Sequence, residues 1–190
     1  MIKKWKILSE EDVSPTKWFP ILRHVVELPG NKIIDDYFIS PFGDAVMILP
    51  ITRTNKIVLV KQYKHGLGEI LIELPAGFQQ TGKSIKESAI AELQEETGIS
   101  TTQDNLEFIG RISNNPTKTN QVTHGFLARN LEFNSEQNFD PTEEIELLLV
   151  SPEKVLQMVA SGEIWVGDSV SMIMKVYLAF PSLFLTQQAG

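Results

Sequence analysis

The sequence predicts an α+β fold: a mixed sheet flanked by helices, with a small antiparallel β lobe at the N-terminus. Three observations carry this expectation. Short apolar, β-branched runs recur through the first half of the chain, joined by turn residues in hairpin order. One helix, over Ser84–Thr97, is marked by independent signals at both ends. Further strands and two more helical segments follow, so strands and helices alternate irregularly rather than in repeated βαβ units. A chain of 190 residues, 42% hydrophobic and 22% charged, has the composition to bury a full core.

Taken in order, Trp5–Leu28 and Lys32–Ser40 read as short strands around a Pro29-Gly30-Asn31 turn. This region, residues 1–42, is the expected N-terminal lobe, and residues 43–190 form the larger domain. Ala45–Ile51 and Lys56–Tyr63 predict a hairpin through Thr52–Asn55, and Ile70–Leu74 a short strand stopped by Pro75. A loop is expected over Phe78–Lys83. Ser84 and Glu87 then make a capping box, Ile85, Ala89 and Leu93 form an apolar stripe, and Gly98 stands where a helix C′ residue belongs. Leu106–Ile112 and Val122–Ala128 predict strands on either side of a polar loop, Ser113–Gln121, with a further strand at Glu144–Val150. Ser151 and Pro152 open a helix ended by Gly162. Asp168 or Ser169 opens the last helix, which stops at Pro181.

Composition narrows the function. The net charge of -7 and the scattered basic residues argue against nucleic acid, whose binders carry a basic face. No stretch is long and uninterrupted enough for a membrane span, because Lys175 and Pro181 break Val170–Leu185. Met1–Glu10 lacks the apolar core of a signal peptide, so a cytoplasmic location is expected. With no cysteine, thiolate chemistry and Cys-based zinc sites are excluded.

The chemistry lies on the capped helix. At about 100° per residue, Glu92, Glu95 and Glu96 fall on one face with Ser88, beside the apolar stripe. Like charges at i, i+3 and i+4 destabilise a helix, and the C-terminal half of a helix disfavours anions. Bound divalent cations would remove both penalties, and hard oxygen ligands select Mg²⁺, Mn²⁺ or Ca²⁺. A solvated acidic face is the plain alternative. The preceding strand and loop, Glu73-Leu74-Pro75-Ala76-Gly77, weigh against it. Gly77 frees the backbone there, so that the Ala76 carbonyl is expected to turn toward the helix as an extra ligand.

Residues 77–99 resemble the Nudix box, Gly-x5-Glu-x7-Arg-Glu-U-x-Glu-Glu-x-Gly-U with U apolar. Gly77, Glu92, Leu93, Glu95, Glu96, Gly98 and Ile99 match at the right spacing, while Lys83 and Ala91 replace the first Glu and the Arg. Gln62-Tyr63-Lys64 and Glu73–Gly77 are similar to the corresponding run of ADP-ribose pyrophosphatases, and Pro116 lies about where those enzymes carry a proline. The resemblance implies an α/β/α sandwich and a Mg²⁺-dependent hydrolase (Mn²⁺ substituting) that cuts ADP-ribose to AMP and ribose 5-phosphate. It implies Glu92 and Glu96 as metal ligands with Glu95 close by, and the Ala76 carbonyl completing the site. A general base comes from a late loop, where Glu143 and Glu144 are both candidates. Lys64, Gly77, Arg111 and Pro116 are expected at the substrate, with Trp18 and Phe38 as stacking surfaces. Lys64 in place of Arg leaves a point charge where a bidentate contact would be. A homodimer paired through the N-terminal lobe is also implied.

Lys83 and Ala91 read as one linked change, because losing either charge of the usual Glu–Arg pair alone would strand the other. Lys83 is expected to approach Glu87 instead. Both departures also keep open a different reading, a nucleotide-sugar sensor with a degraded box, as well as other diphosphate substrates.

Overall fold

The computed structural model describes residues 1–139 and 144–185. By its internal contacts the chain divides into two units, Met1–Gly43 with Ser113–Val122, and Asp44–Ile112 with Thr123–Gly190.

The first unit is a three-stranded antiparallel sheet, β1 (Lys6–Asp12), β2 (Leu22–Glu27) and β3 (Ile33–Ile39), in that order. The β2–β3 turn carries Gly30 and Asn31 at positive φ, as the Pro-Gly-Asn signal required. The polar loop expected over Ser113–Gln121 belongs to this unit: Ser40 donates its N–H to the Lys118 carbonyl at 2.7 Å, and the Tyr37 hydroxyl donates to the Thr117 carbonyl at 2.7 Å. Trp5 meets Tyr37 edge-on at 5.5 Å and Phe19 meets Phe42 at 5.7 Å, so part of the aromatic content packs within the unit. Trp5, Ile7, Trp18, Phe19, Ile33 and Phe38 nonetheless stay exposed.

The second unit is built on a mixed sheet. Its strands are β4 (Ala45–Thr52), β5 (Ile57–Lys64), β6 (Glu69–Glu73), β7 (Ala76–Phe78), β8 (Leu106–Ile112), β9 (Thr123–Leu131) and β10 (Ile145–Val150). The path runs β10-β5-β4-β9-β8, with β6 paired to β5 and β7 to β4. Among the described strands, only β4 and β9 pair in parallel. Helix α1 (Ile85–Thr97) covers one face, while α2 (Pro152–Ser161) and α3 (Gly167–Ala179) cover the other. Along β4, Val46 and Ile48 join Ala89 and Leu93 of α1, whereas Met47, Leu49 and Ile51 join Val155, Met158, Met172 and Val176. Burial on both faces explains why β4 reads as an unbroken apolar run. Pro50, which cannot donate to a ladder, sits where the β4–β9 register shifts.

Three expectations change. The β4–β5 hairpin pairs only next to its turn, at Ile51↔Ile57. Beyond that point the strands diverge: β5 takes β6 over Val60–Lys64, and β4 takes β7 over Ala45–Met47. The expected loop therefore begins later, because Phe78 still belongs to β7. The last helix starts earlier than expected, with Val166 as its N-cap. Ser169 does not cap it. Its buried hydroxyl instead accepts from the Leu74 backbone N–H at 3.0 Å.

The start of α1 follows its sequence signals. The Ser84 hydroxyl accepts from the Glu87 N–H, and the Glu87 carboxylate accepts from the Ser84 N–H at 2.7 Å. Hydrogen bonding from the Ser84 backbone N–H, and then from its side chain, holds the Glu87 carboxyl below its ordinary pKa. Gly98 closes the helix at φ 71°, and a Cβ there would lie 2.7 Å from the Ser135 carbonyl oxygen. Ser84→Ala should lower stability by about 1 kcal/mol, the usual cost of losing a capping hydroxyl. Urea unfolding checks this, and an unchanged midpoint would mean that the box does not set the helix start.

Candidate active site

The divergence of β4 and β5 positions the site. Leu74 and Pro75 carry the chain from β6, on the β5 side, to β7, on the β4 side. The Pro75 carbonyl accepts from the Ile48 N–H at 3.0 Å. This crossing places Ala76 and Gly77 beneath the acidic face of α1. The Ala76 N–H donates to Glu96 Oε2 at 3.0 Å. A Cβ on Gly77 would lie 2.2 Å from Glu92 Oε2. The glycine serves a different purpose than its sequence context indicates: its φ is not positive, and its missing side chain leaves the space that the Glu92 carboxylate occupies, so that a Cβ there would force that carboxylate to shift.

The acidic face is not a solvated one. Glu96 is only 4% exposed, and Glu92 and Glu95 are half-buried. Burial pushes the Glu96 carboxyl up to about 8, with the Glu92 and Glu73 charges adding to the rise and the Ala76 N–H and Lys64 opposing it. Glu73, on β6, completes this cluster. It is itself buried and accepts from Gln62 Nε2 and Lys64 Nζ, both at 2.8 Å on the same oxygen. Lys64, expected at the substrate phosphates, is therefore ion-paired to Glu73. Glu73 and Gln62 lie in runs that the sequence marks as similar to ADP-ribose pyrophosphatases, but neither was expected at the site. Their signal was weak, because strand alternation alone placed both on the α1 side.

Gln80 was missed as well. Its side-chain nitrogen donates to Glu92 Oε1 and Glu95 Oε2, each at 3.0 Å, and its backbone N–H donates to the buried Ser88 hydroxyl at 3.0 Å. Lys83 donates to Gln80 Oε1 at 2.5 Å rather than to Glu87, on which it exerts only a minor electrostatic pull. At the other end of α1, the Asn138 N–H donates to the Glu95 carbonyl at 2.9 Å and Gln137 Nε2 to the Glu96 carbonyl at 2.7 Å, satisfying carbonyls that the last turn leaves open.

Of the two candidate bases, Glu143 lies outside the described residues. Glu144 is exposed at the foot of β10 and lines a cleft of about 290 Å³ with Lys61, Gln62, Tyr63, Ile70, Ile145 and Glu146. Gln62 is shared between this cleft and the Glu73 pair. Arg111 is exposed on β8 in the second unit, whereas Trp18, Phe38 and Pro116 are exposed in the first. Trp18 carries the Lys17 ammonium over its ring at 4.6 Å.

The donor set fits a hard divalent cation. It offers the carboxylate oxygens of Glu92, Glu95 and Glu96 on one helix face, one of these carboxylates being buried at a cost that a cation would offset. Among the described residues, however, no three His, Asp or Glu side chains already stand as a metal cage.

Residues 41–166 match the NUDIX domain, and residues 5–40 match the nucleoside diphosphate sugar hydrolase N-terminal domain. The chain is a Nudix hydrolase. It is 31% identical over 174 residues to the ADP-ribose pyrophosphatase of Bacillus subtilis, covering 91% of this chain and 92% of that one. It is 30% identical over 154 residues to the methanol dehydrogenase activator of Bacillus methanolicus, covering 80% of each. The crystal structure of an ADP compounds hydrolase superposes with a TM-score of 0.83 over 96% of this chain and 97% of that one, at 22% identity, which establishes the shared fold. The acidic face of α1 is thus the box helix of a Nudix enzyme, with Glu73, Gln80 and Lys83 around it.

The raised Glu96 pKa predicts an unusual pH dependence for the Nudix enzyme in EDTA. Between about 4.5, the ordinary value, and about 8, the folded state binds more protons at Glu96 than the unfolded chain does. Stability should therefore fall as pH rises through this window. Thermal melting from pH 5 to 8.5 checks this against Glu96→Gln, which should flatten the decline. Equal slopes in the two proteins would show that Glu96 does not carry it.

Proposed function

We propose that this enzyme is a Mg²⁺-dependent pyrophosphohydrolase, with Mn²⁺ as a substitute, that cleaves ADP-ribose to AMP and ribose 5-phosphate. The observation that carries the proposal is the Glu96 carboxylate, buried against β7 within reach of the charges of Glu92 and Glu73. A divalent cation there would offset a cost that otherwise keeps Glu96 protonated up to about pH 8.

Glu92 and Glu96 would ligate the metal with Glu95 beside them and the Ala76 carbonyl completing the set; bound there, divalent cations would screen the diphosphate and lower the pKa of an attacking water. Glu73 keeps Lys64 and Gln62 fixed behind the site. Glu144 is the proposed base within the described residues, with Glu143 its alternative, and Arg111 is a proposed phosphate contact. Trp18 and Phe38 are the proposed stacking surfaces for the adenine, with Pro116 also at the substrate. ADP-ribose is preferred among diphosphates because the Bacillus subtilis relative named for that activity aligns along nearly the whole chain.

A sensor reading has one observation in its favour, the replacement of the box Glu and Arg by Lys83 and Ala91. The retained triad weighs against it. A product assay with ADP-ribose, GDP-mannose, NADH and diadenosine polyphosphates, each with Mg²⁺ or Mn²⁺, separates the two. Fastest turnover is expected on ADP-ribose, with Glu92→Gln and Glu96→Gln each lowering kcat by roughly a hundredfold or more. Binding without turnover of any compound would favour the sensor.

We further propose a cytoplasmic homodimer paired through residues 1–42. The exposed Trp5, Ile7, Trp18, Phe19, Ile33 and Phe38 supply more apolar surface than a lone three-stranded sheet ordinarily leaves to solvent. No helix among the described residues is long and apolar enough to cross a membrane. Sedimentation at micromolar concentration should give twice the 21.4 kDa chain mass. A fully active monomer would rule the dimer out.

A further inference from the structure

The loop before α1 is tied to the helix through one residue. Gln80 uses every polar group of its side chain: the amide nitrogen donates to both Glu92 and Glu95, and the amide oxygen accepts from Lys83. Its backbone N–H is held by Ser88, which is wholly buried, and Gln79 Nε2 closes the loop on the Lys83 carbonyl at 3.1 Å. The side chain is therefore fixed at both ends. Two neighbouring carboxylates on one helix face repel. The two amide hydrogens between them offset that repulsion, and the Lys83 ammonium polarises the amide in the direction that strengthens both bonds.

We propose that Gln80 is a displaceable placeholder for the divalent cation: it holds Glu92 and Glu95 together in the cation-free enzyme and gives way when a cation binds, with Lys83 setting its orientation. This rests on the reading of the box as a cation site. A carboxylate oxygen has lone pairs enough for two partners. The amide hydrogens, however, present positive charge toward the space that a cation sharing those oxygens must enter. The two compete, and cation binding must break both hydrogen bonds. Gln80 is in this sense a positioning residue, acting on the reaction through the carboxylates.

The placeholder role has a consequence that a simple structural clip does not share. If Gln80 stabilises only the cation-free state, its removal destabilises that state and tightens cation binding by the same free energy. Stability at saturating cation should then be unchanged. A clip that acts in both states lowers stability equally with and without cation and leaves affinity alone.

The experiment uses Mn²⁺ as the probe, with Gln80→Ala, Gln80→Met and Lys83→Met. Free Mn²⁺ is followed by electron paramagnetic resonance, and melting is measured in EDTA and in saturating Mn²⁺. The Gln80 variants should bind Mn²⁺ roughly three- to tenfold more tightly. They should melt lower in EDTA and match the parent in Mn²⁺, and Lys83→Met should shift both readouts the same way by less. The methionine variant fills the same space without donors, so it carries the test if the alanine variant does not fold. Unchanged affinity with equal melting losses in both conditions would reduce Gln80 to a clip. Weaker Mn²⁺ binding would make it a support of the occupied site. Either result overturns the proposal while leaving the cation reading intact, whereas a parent that binds no Mn²⁺ overturns both.

Discussion

The second unit is organised around carboxylates pressed between a helix and a sheet. Glu96 is buried, Glu73 is buried beneath it, and Glu92 lies against the bare backbone of Gly77. Such a cluster is unfavourable by desolvation and by mutual repulsion. Each surrounding feature reduces one part of that cost. The Ala76 N–H serves Glu96, Gln62 and Lys64 serve Glu73, and Gln80 serves Glu92 and Glu95. Apolar packing supplies the rest. Ala89 and Leu93 anchor α1 on Val46, Ile48 and Phe126, so repulsion along the acidic face cannot simply lift the helix away.

The same constraint explains the topology of the sheet. A continuous β4–β5 ladder would leave no backbone N–H free to meet Glu96. Separating the two strands after a single pair, and inserting β6 and β7 between them, brings a strand start beneath the helix. The Ala76 amide is then available to a side chain while β7 still pairs with β4. Ser169, reaching from α3 to the Leu74 N–H, satisfies the crossing segment from the opposite layer. Helices on both faces thus converge on the short stretch from Glu73 to Gly77.

What could be read from the sequence was what is local. The capping box, the αL glycine at the helix end and the strand lengths depend on neighbours a few residues apart, and their signals are chemical rather than statistical. The grouping of Glu92, Glu95 and Glu96 followed from helix periodicity alone. The divergence of β4 and β5 was hidden, because an apolar run reports burial and not the identity of its pairing partner. Ser113–Gln121 read correctly as polar loop, yet its membership of the first unit depends on Ser40 and Tyr37, far away in sequence. Gly77 was picked out for a reason that the structure does not bear out. Only the position of the Glu92 carboxylate reveals that space, and not backbone freedom, is what the glycine provides. Gln80 carried no signal at all, since a glutamine in a polar loop is unremarkable until its partners are placed.

The two departures from the family pattern are intelligible in these terms. A lysine at position 83 beside an arginine at 91 would put two cations together. A glutamate at 83 with alanine at 91 would add a fifth carboxylate near the cluster of Glu73, Glu92, Glu95 and Glu96. The present pair does neither. Ala91 is half-buried and asks for no counter-charge, and Lys83 acts on the acidic face through the Gln80 amide. The usual ion pair steadies the helix and leaves the carboxylates to the metal. The arrangement here steadies the loop and the helix through the carboxylates themselves. The departures thus alter the helix support while leaving Glu92, Glu95 and Glu96 in place, which favours a working enzyme over a degraded one.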